Sequence, residues 1–206
     1  MAGYGYLWPA VQPDLRLAAE WSPRSQASAG SRASWAKSDI HVYMNRQHPF
    51  ISHIVWTGNR GDGTRSYRGY DRTWEIRTPG KPVVACSNDP LLGGDPSRPN
   101  PEDLLLSALS ACHMLWYLHL ASNAGIVVMH YEDSPIGFGE TAANGAGRYL
   151  SATLRPLVRV MAGADVAKAD SLHHEVANYC FIARSVNFPI TYEATYEEVT
   201  PVLGSS

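Results

Sequence analysis

Two cysteines inside apolar helical patterns are the first candidates for chemistry in this sequence of 206 residues. Cys112 lies in "NPEDLLLSALSACHMLWYLHLASNAG", residues 100–125, and Cys180 lies in the amphipathic pattern of residues 165–184. A lone cysteine in such a place is more often a small buried hydrophobic residue than a nucleophile. Two cysteines on apolar helix faces can face one core, which favours a chemical role over simple packing.

Two charged residues could act on a thiol. The alternating pattern of "RSYRGYDRTWEIR", residues 65–77, predicts a strand that places Arg72 on the apolar face with Tyr70 and Trp74. An arginine there either extends its guanidinium to the rim of the core or stabilises a nearby thiolate. Glu102 is a carboxylate that could orient this arginine, and it also complements the dipole at a helix start.

Histidines close to both cysteines raise metal binding and acyl transfer as alternatives. His113 follows Cys112 directly, and His173 and His174 precede Cys180. His174 and Cys180 are six residues apart, which is not one face of a helix, and the set matches no zinc pattern. No metal and no cofactor are therefore predicted. His113 points about 100° away from Cys112 around a helix, so it is a poor base for that thiol; a cysteine-dependent acyl hydrolase remains an alternative.

The composition limits the class of protein. The chain is 45% hydrophobic and 17% charged, with a net charge of −2, which is typical of one domain with a sizeable core. This charge gives no footprint for nucleic acid or for an anionic membrane. Residues 104–121 are apolar but interrupted by two serines and two histidines, so a core helix is predicted instead of a transmembrane helix. Three cysteines without a disulfide-scaffold spacing or a signal peptide predict a cytoplasmic, reducing location, with Cys86 structural.

Strand patterns interrupted by two helices predict an α+β fold. Asn100 as N-cap, Pro101 in the first turn and Gly125 as the stop define the first helix. The second helix is predicted at 165–184. Strands are predicted at 50–58, 65–77, 83–87, 126–133, 147–161 and 186–199. Residues 1–47 are predicted to be a disordered extension, 48–200 one domain, and 201–206 a flexible tail.

The two cysteine segments resemble a known family. "NPEDLLLSALSACHMLWYLHLA" and "HHEVANYCFIARSVNFPI" are similar to the OsmC/Ohr family of thiol peroxidases, and within it to the OsmC-like branch. "WTGNRGDGT…Y…YDR" and "SNDP…GD…NPEDLL" resemble the same branch, so the likeness covers about residues 53–192. It implies antiparallel sheets around two long central helices in an intertwined homodimer. It also implies reduction of organic hydroperoxides, and less efficiently of hydrogen peroxide, in oxidative stress defence.

The resemblance also implies roles for single residues. Cys112 would attack the peroxide, Cys180 would resolve the product as a Cys112–Cys180 disulfide, and an external dithiol would reduce it. Glu102 in "NPED" matches the family's glutamate, and Arg72 in "YDR" best matches its arginine, with Arg60 as the alternative. The loop "DPLLGGD" lacks an arginine that relatives often carry. A non-catalytic homodimer that senses redox state or binds a small molecule is the alternative function.

Helix geometry makes a separate prediction about the site. Glu102 and Cys112 are ten residues apart, which is about 15 Å along a straight helix. They cannot share a site within one chain. If both take part, each site must draw its cysteine from one subunit and its glutamate from the other.

Overall fold

The computed structural model describes residue 47 and residues 49–200. The extension predicted at 1–47, apart from Gln47, and the tail predicted at 201–206 lie outside these residues. The chain divides after Pro49, and the unit Phe50–Ser206 contains every element named below. In chain order these are β1 Ile54–Trp56, β2 Trp74–Ile76, β3 Val84–Cys86, α1 Pro101–Ala124, β4 Val128–Asp133, β5 Ile136–Thr141, β6 Gly147–Leu154, β7 Pro156–Met161, α2 Val166–Val176, β8 Ile190–Tyr192 and β9 Thr195–Val199.

Strands β1, β2 and β3 form a short antiparallel sheet ahead of α1. The strand predicted over 65–77 is wrong for most of its length, because only Trp74–Ile76 is extended in the sheet. Residues 61–69 form bends and turns, and the chain then returns through an isolated Asn59–Tyr70 bridge, with the Asp71 amide donating to the Gly58 carbonyl at 2.8 Å. Gly58 approaches Asp71 so closely that a Cβ would collide with its carbonyl. Arg72 therefore lies between this bridge and β2, outside the strands of the sheet.

Helix α1 begins and ends close to where the sequence predicts. The Asn100 side chain accepts from the Asp103 amide at 2.7 Å, and Asp103 accepts from the Asn100 amide at 3.1 Å, which completes a capping box. Gly125 ends the helix with φ 77°, a conformation that glycine adopts without strain. The helix buries one face, in steps of four residues: Leu109, His113, Tyr117 and Ala121.

The rest of α1 is apolar but largely uncovered within one chain. By length and by a mean hydropathy of 1.5, Pro101–Ala124 is apolar enough to cross a membrane, yet the core helix of a globular protein passes the same test. Only 22% of its most apolar window is buried inside the chain. This helix therefore leaves apolar side chains exposed, among them Leu115.

Two mixed sheets pack with the helices. β4 pairs with β7 and β5 with β6 in antiparallel ladders, whereas β7–β9 and β6–β8 are parallel. The single strand predicted over 147–161 is two strands in different sheets. The break falls at Arg155, whose amide leaves the ladder to donate to the Asp133 carboxylate at 2.6 Å, and at Pro156, which has no amide hydrogen. The strand predicted over 186–199 likewise divides into β8 and β9, and β5 was not predicted.

Helix α2 is shorter than the predicted helix at 165–184. It ends at Val176, and the amides of Asn178 and Tyr179 then bond to carbonyls three residues back instead of four. Cys180 consequently lies in the turns after α2 and not in the middle of a helix. The Cys180 amide still bonds to the Val176 carbonyl at 2.9 Å, so its position remains fixed to the helix end.

The predicted α+β class is confirmed, with one long helix and one of 11 residues. The core lies between the buried face of α1, α2 and the inner residues of β6 and β7. Cys180 belongs to this core and Cys112 packs against its edge. The three strands before α1 supply no residue to this cluster in the described part of the chain.

Candidate active site

The two predicted cysteines meet. Cys112 lies at the middle of α1 and Cys180 in the turns after α2, and the two thiols form a hydrogen bond. Both are free thiols. Cys112 is half-buried, whereas Cys180 is fully buried. The site is thus a reduced dithiol with one accessible and one enclosed sulfur.

The environment of Cys180 keeps that thiol protonated. Burial raises its pKa to about 11, and the hydrogen bond to Cys112 acts in the same direction. The Ala183 amide donates to the Cys180 sulfur at 3.4 Å and partly offsets this effect. A buried protonated thiol is a poor first nucleophile but can donate its hydrogen to a neighbouring sulfur. Cys112 is the more accessible sulfur, and Cys180 is held protonated. Both facts favour Cys112 as the sulfur that reacts first with an oxidant.

Aromatic side chains flank the dithiol. Trp116, one helical turn after Cys112, stacks on Tyr179 with ring centroids 5.0 Å apart. Phe181, which follows Cys180, is exposed and lies 5.4 Å from the Phe50 ring. The surroundings of the thiols are therefore apolar, and they suit a substrate with a hydrocarbon substituent.

Arg72 does not reach a carboxylate among the described residues. Its guanidinium donates to the backbone carbonyls of Tyr70 at 2.8 Å and Tyr67 at 2.9 Å, and it lies over both tyrosine rings. The alternative, Arg60, is exposed, forms an ion pair with Asp71 at 3.6 Å and donates to the Arg68 carbonyl. Arg72 is the better charge for a site, since its hydrogen bonds go to neutral carbonyls and leave its positive charge uncompensated in this part of the chain.

Glu102 lies in the exposed first turn of α1. It borders an open groove of about 1050 Å³ that Leu92 and Phe188 also line. The Tyr149 hydroxyl donates to the Glu102 carbonyl at 2.9 Å. Leu92 belongs to the loop of residues 90–94, which precedes α1. The Arg72 side chain lies against Gly93 of this loop, so Arg72 and Glu102 lie near the same loop.

The four predicted residues therefore form two groups within one chain. Cys112 and Cys180 are together, whereas Glu102 and Arg72 lie near the loop of residues 90–94 at the start of α1. Because α1 is one uninterrupted helix, Glu102 stays about 15 Å along its axis from Cys112. Glu102 and Cys112 therefore lie on one continuous helix, as their predicted separation requires.

A buried pair of histidines lies behind the thiols, and the sequence analysis did not pair them. Nε2 of His113 and Nδ1 of His173 are 2.7 Å apart, with the rings stacked at 5.0 Å. Tyr117 stacks on His173 at 4.2 Å. Each histidine lies on the buried stripe of its helix, which was the available signal. Their pairing depends on how the two helices pack, which a periodic pattern does not specify.

Burial keeps both histidines neutral. It lowers the pKa of His113 to about 4, partly offset by Asp133. It lowers the pKa of His173 to about 3, with further repulsion from His113 and His174. Nε2 of His173 is buried without a hydrogen-bond partner in the described residues, so a proton there would lack an acceptor. The pair is therefore a neutral hydrogen bond at physiological pH.

No metal centre emerges from residues 47 and 49–200, where no group of three or more His, Cys, Asp or Glu is arranged to hold an ion. His113, next to Cys112, forms a hydrogen bond with His173. His119 forms a hydrogen bond with Asn123, and His130 with Glu132.

The fold is α+β, and it brings a cysteine of a long helix against a cysteine that follows a second helix. Residues 94–195 match the family model described as OsmC-like protein. Residues 94–195 of this chain thus form an OsmC-like domain. No curated protein matches it.

Solved structures are similar over most of the described chain. An OsmC-like protein of unknown function from Vibrio cholerae is 22% identical with a TM-score of 0.66, over 72% of this chain and 100% of that one. An organic hydroperoxide resistance protein from Elizabethkingia anophelis is 16% identical with a TM-score of 0.54, over 75% and 100%. One from Legionella pneumophila is 15% identical with a TM-score of 0.53, over 75% and 99%. At these identities the likeness establishes the fold, and the predicted OsmC-like fold is confirmed.

Proposed function

We propose that this protein is a cysteine-based peroxidase that reduces organic hydroperoxides, and less efficiently hydrogen peroxide, in oxidative stress defence. The contact between the Cys112 and Cys180 thiols carries the proposal. Two similar structures are named as organic hydroperoxide resistance proteins, which supports the same class of substrate. We expect a cytoplasmic protein, because thiols stay reduced there.

The reaction has two steps at the sulfurs. The thiolate of Cys112 attacks the distal peroxide oxygen, the O–O bond breaks, and the leaving alkoxide takes a proton to become the alcohol. The sulfur is oxidised to a sulfenic acid by the two electrons that reduce the peroxide. The Cys180 sulfur then attacks the sulfenic sulfur, and the S–O bond breaks. The hydroxide leaves as water with the Cys180 proton, and the disulfide forms. An external dithiol restores both thiols by exchange.

A homodimer would complete the site. Glu102 lies in the first turn of α1, about 15 Å along the helix axis from Cys112 of the same chain, and the Arg72 side chain lies against Gly93 in the loop before α1. In a dimer with antiparallel α1 helices, the start of one helix would reach the cysteine of the other. Arg72 would then stabilise the partner's thiolate, with Glu102 holding the guanidinium in place.

Two uncovered apolar surfaces support the dimer. On α1, Leu115 is 63% exposed, although it lies mid-helix. The sheet of β1, β2 and β3 exposes Ile54, Trp56 and Val84 and has no core residues of its own in the cluster described above. The three strands have three residues each, so packing against a partner would add to the small apolar area that this sheet can bury. Mutual burial of these surfaces would give a large, apolar, obligate interface.

The experiment is turnover of an alkyl hydroperoxide with a dithiol reductant. Wild-type protein should turn over steadily, Cys112→Ser should be inactive, and Cys180→Ser should react once and leave a sulfenic acid that dimedone traps. Cys86→Ser is the matched control and should keep wild-type turnover. Wild-type turnover by Cys112→Ser would refute the role of that thiol. One slow, stoichiometric oxidation of the wild type would instead identify a redox sensor.

A further inference from the structure

The hydrogen bond between His113 and His173 connects the helix that carries Cys112 with the helix that precedes Cys180. His113 is next to Cys112 on α1, and His173 lies on the last turns of α2, ahead of Cys180. The 2.7 Å bond joins the middle of α1 to α2. A second bond, from Nζ of Lys168 to the Ala124 carbonyl at 2.8 Å, joins only the far end of α1.

This bond lies at the right place to set the position of α1 against α2. Adjacent helical residues differ by about 100° in direction and 1.5 Å in height, so fixing His113 also fixes the direction and height of Cys112. A disulfide needs its Cα atoms within about 4.4–6.8 Å. A shift of α1 by one residue would move Cys112 by about 1.5 Å along the axis, which is large compared with the width of that range. Apolar stacking alone, as between Trp116 and Tyr179, is less directional than a hydrogen bond.

Burying this pair of histidines has a cost in folding free energy. Two imidazoles are removed from water, and Nε2 of His173 has no partner in the described residues. A leucine pair would fill the same core without this cost. A buried polar pair whose members hydrogen-bond to each other specifies one arrangement of the helices in a way that apolar contacts do not.

We propose that His113 and His173 are positioning residues that hold the Cys112 thiol against Cys180 and so promote formation of the disulfide. This proposal rests on the dithiol chemistry proposed above and extends it to two residues that do not touch the substrate. The histidines act on the second step, closure of the disulfide, and not on attack at the peroxide.

Amide substitutions at residue 113 separate positioning from mere stability. The bond uses Nε2 of His113, and the amide of a glutamine reaches about as far as this nitrogen, whereas that of an asparagine is one methylene shorter. His113→Gln and His113→Asn both bury one primary amide, but only glutamine can restore the bond to Nδ1 of His173. His174→Asn is the control on α2, because His174 is exposed.

The first measurement is the equilibrium between the Cys112–Cys180 dithiol and disulfide in glutathione buffers, with the linked peptides identified by mass spectrometry. His113→Asn should weaken the disulfide by up to about tenfold, which corresponds to a reduction potential about 30 mV higher. His113→Gln and His174→Asn should stay within about twofold of wild type. Equal potentials for the asparagine and glutamine variants would overturn the proposal.

The second measurement separates the two steps. In a Cys180→Ser background, sulfenic acid should be trapped at the same rate whether His113 is retained or replaced by His113→Asn. Disulfide closure after peroxide addition should slow in His113→Asn by up to about tenfold. A slower first step with unchanged closure would refute the assignment. The equilibrium experiment uses glutathione and needs no peroxide. If the wild type did not react with peroxide at all, the proposed peroxidase function would be refuted, but the equilibrium experiment would still test the positioning role of the histidines.

Discussion

A dimeric site can be tested by restoring activity from two inactive subunits. Helix α1 is continuous from Pro101 to Ala124, so Glu102 and Cys112 are separated by ten residues at 1.5 Å each, or about 15 Å along the axis. No side chain bridges that distance. Cys112→Ser removes the attacking sulfur, and Glu102→Gln removes the carboxylate proposed to orient Arg72 of the same chain.

Mixing the two variants has a calculable outcome. Random pairing makes half of the molecules heterodimers, and each heterodimer has one site with both defects and one intact site. Half of the sites in half of the molecules is about a quarter of wild-type activity. The subunits are unfolded together, refolded and assayed with an alkyl hydroperoxide and a dithiol, and native mass spectrometry counts the heterodimers.

The two cysteines provide the matched control. Cys112 and Cys180 are in contact within one chain, so Cys112→Ser and Cys180→Ser each inactivate the thiol pair of their own subunit. Mixing these two variants should restore no turnover. The reasoning would be refuted if confirmed heterodimers of Cys112→Ser and Glu102→Gln stayed inactive, or if the two cysteine variants complemented each other.

Three further predictions follow from burial and charge. Leu115→Glu, at a residue that is 63% exposed, should raise the dimer dissociation constant by roughly 100-fold in sedimentation, while Ala143→Glu, in the exposed turn between β5 and β6, should not change it. Arg72→Ala should slow alkylation of Cys112 by iodoacetamide at pH 7 by roughly tenfold, and Arg60→Ala should slow it less, because Arg60 is exposed and paired with Asp71. The buried histidines take up protons near pH 6.5 when unfolded but only near pH 4 and 3 when folded. Between pH 6.5 and pH 4 the unfolded state therefore binds more protons than the folded state. The free energy of unfolding decreases as the pH is lowered below about 6.5, by about 2 kcal/mol for each histidine at pH 5. Urea titrations at pH 7 and pH 5 measure this loss, and equal stabilities would contradict it.

Local signals explain which elements the sequence predicts well. Asn100, Asp103 and Gly125 act on the backbone within a few residues, so both ends of α1 follow from the sequence. The break at Arg155 depends on Asp133, more than twenty residues away, which accepts its amide hydrogen. A strand pattern that continues across such a break cannot reveal it.

The site shows the same division between local and distant information. The importance of Cys112 and Cys180 follows from their sequence segments, but their contact depends on the packing of α1 against the turns after α2. The alternation that placed Arg72 on a strand face failed, because residues 61–69 form bends and turns and only an isolated Asn59–Tyr70 bridge precedes β2. The His113–His173 bond requires two helical stripes to face each other at one height, and each stripe alone is equally consistent with ordinary core packing.

The most direct test of the dithiol mechanism is mass spectrometry after one equivalent of an alkyl hydroperoxide. The account predicts one alcohol released per chain, a loss of about 2 Da from the protein, and one linked peptide pair joining Cys112 to Cys180. The Cys180→Ser chain should instead gain one oxygen at Cys112. Peroxide consumption with Cys112 and Cys180 both left as free thiols, or a disulfide that involves Cys86, would contradict the account.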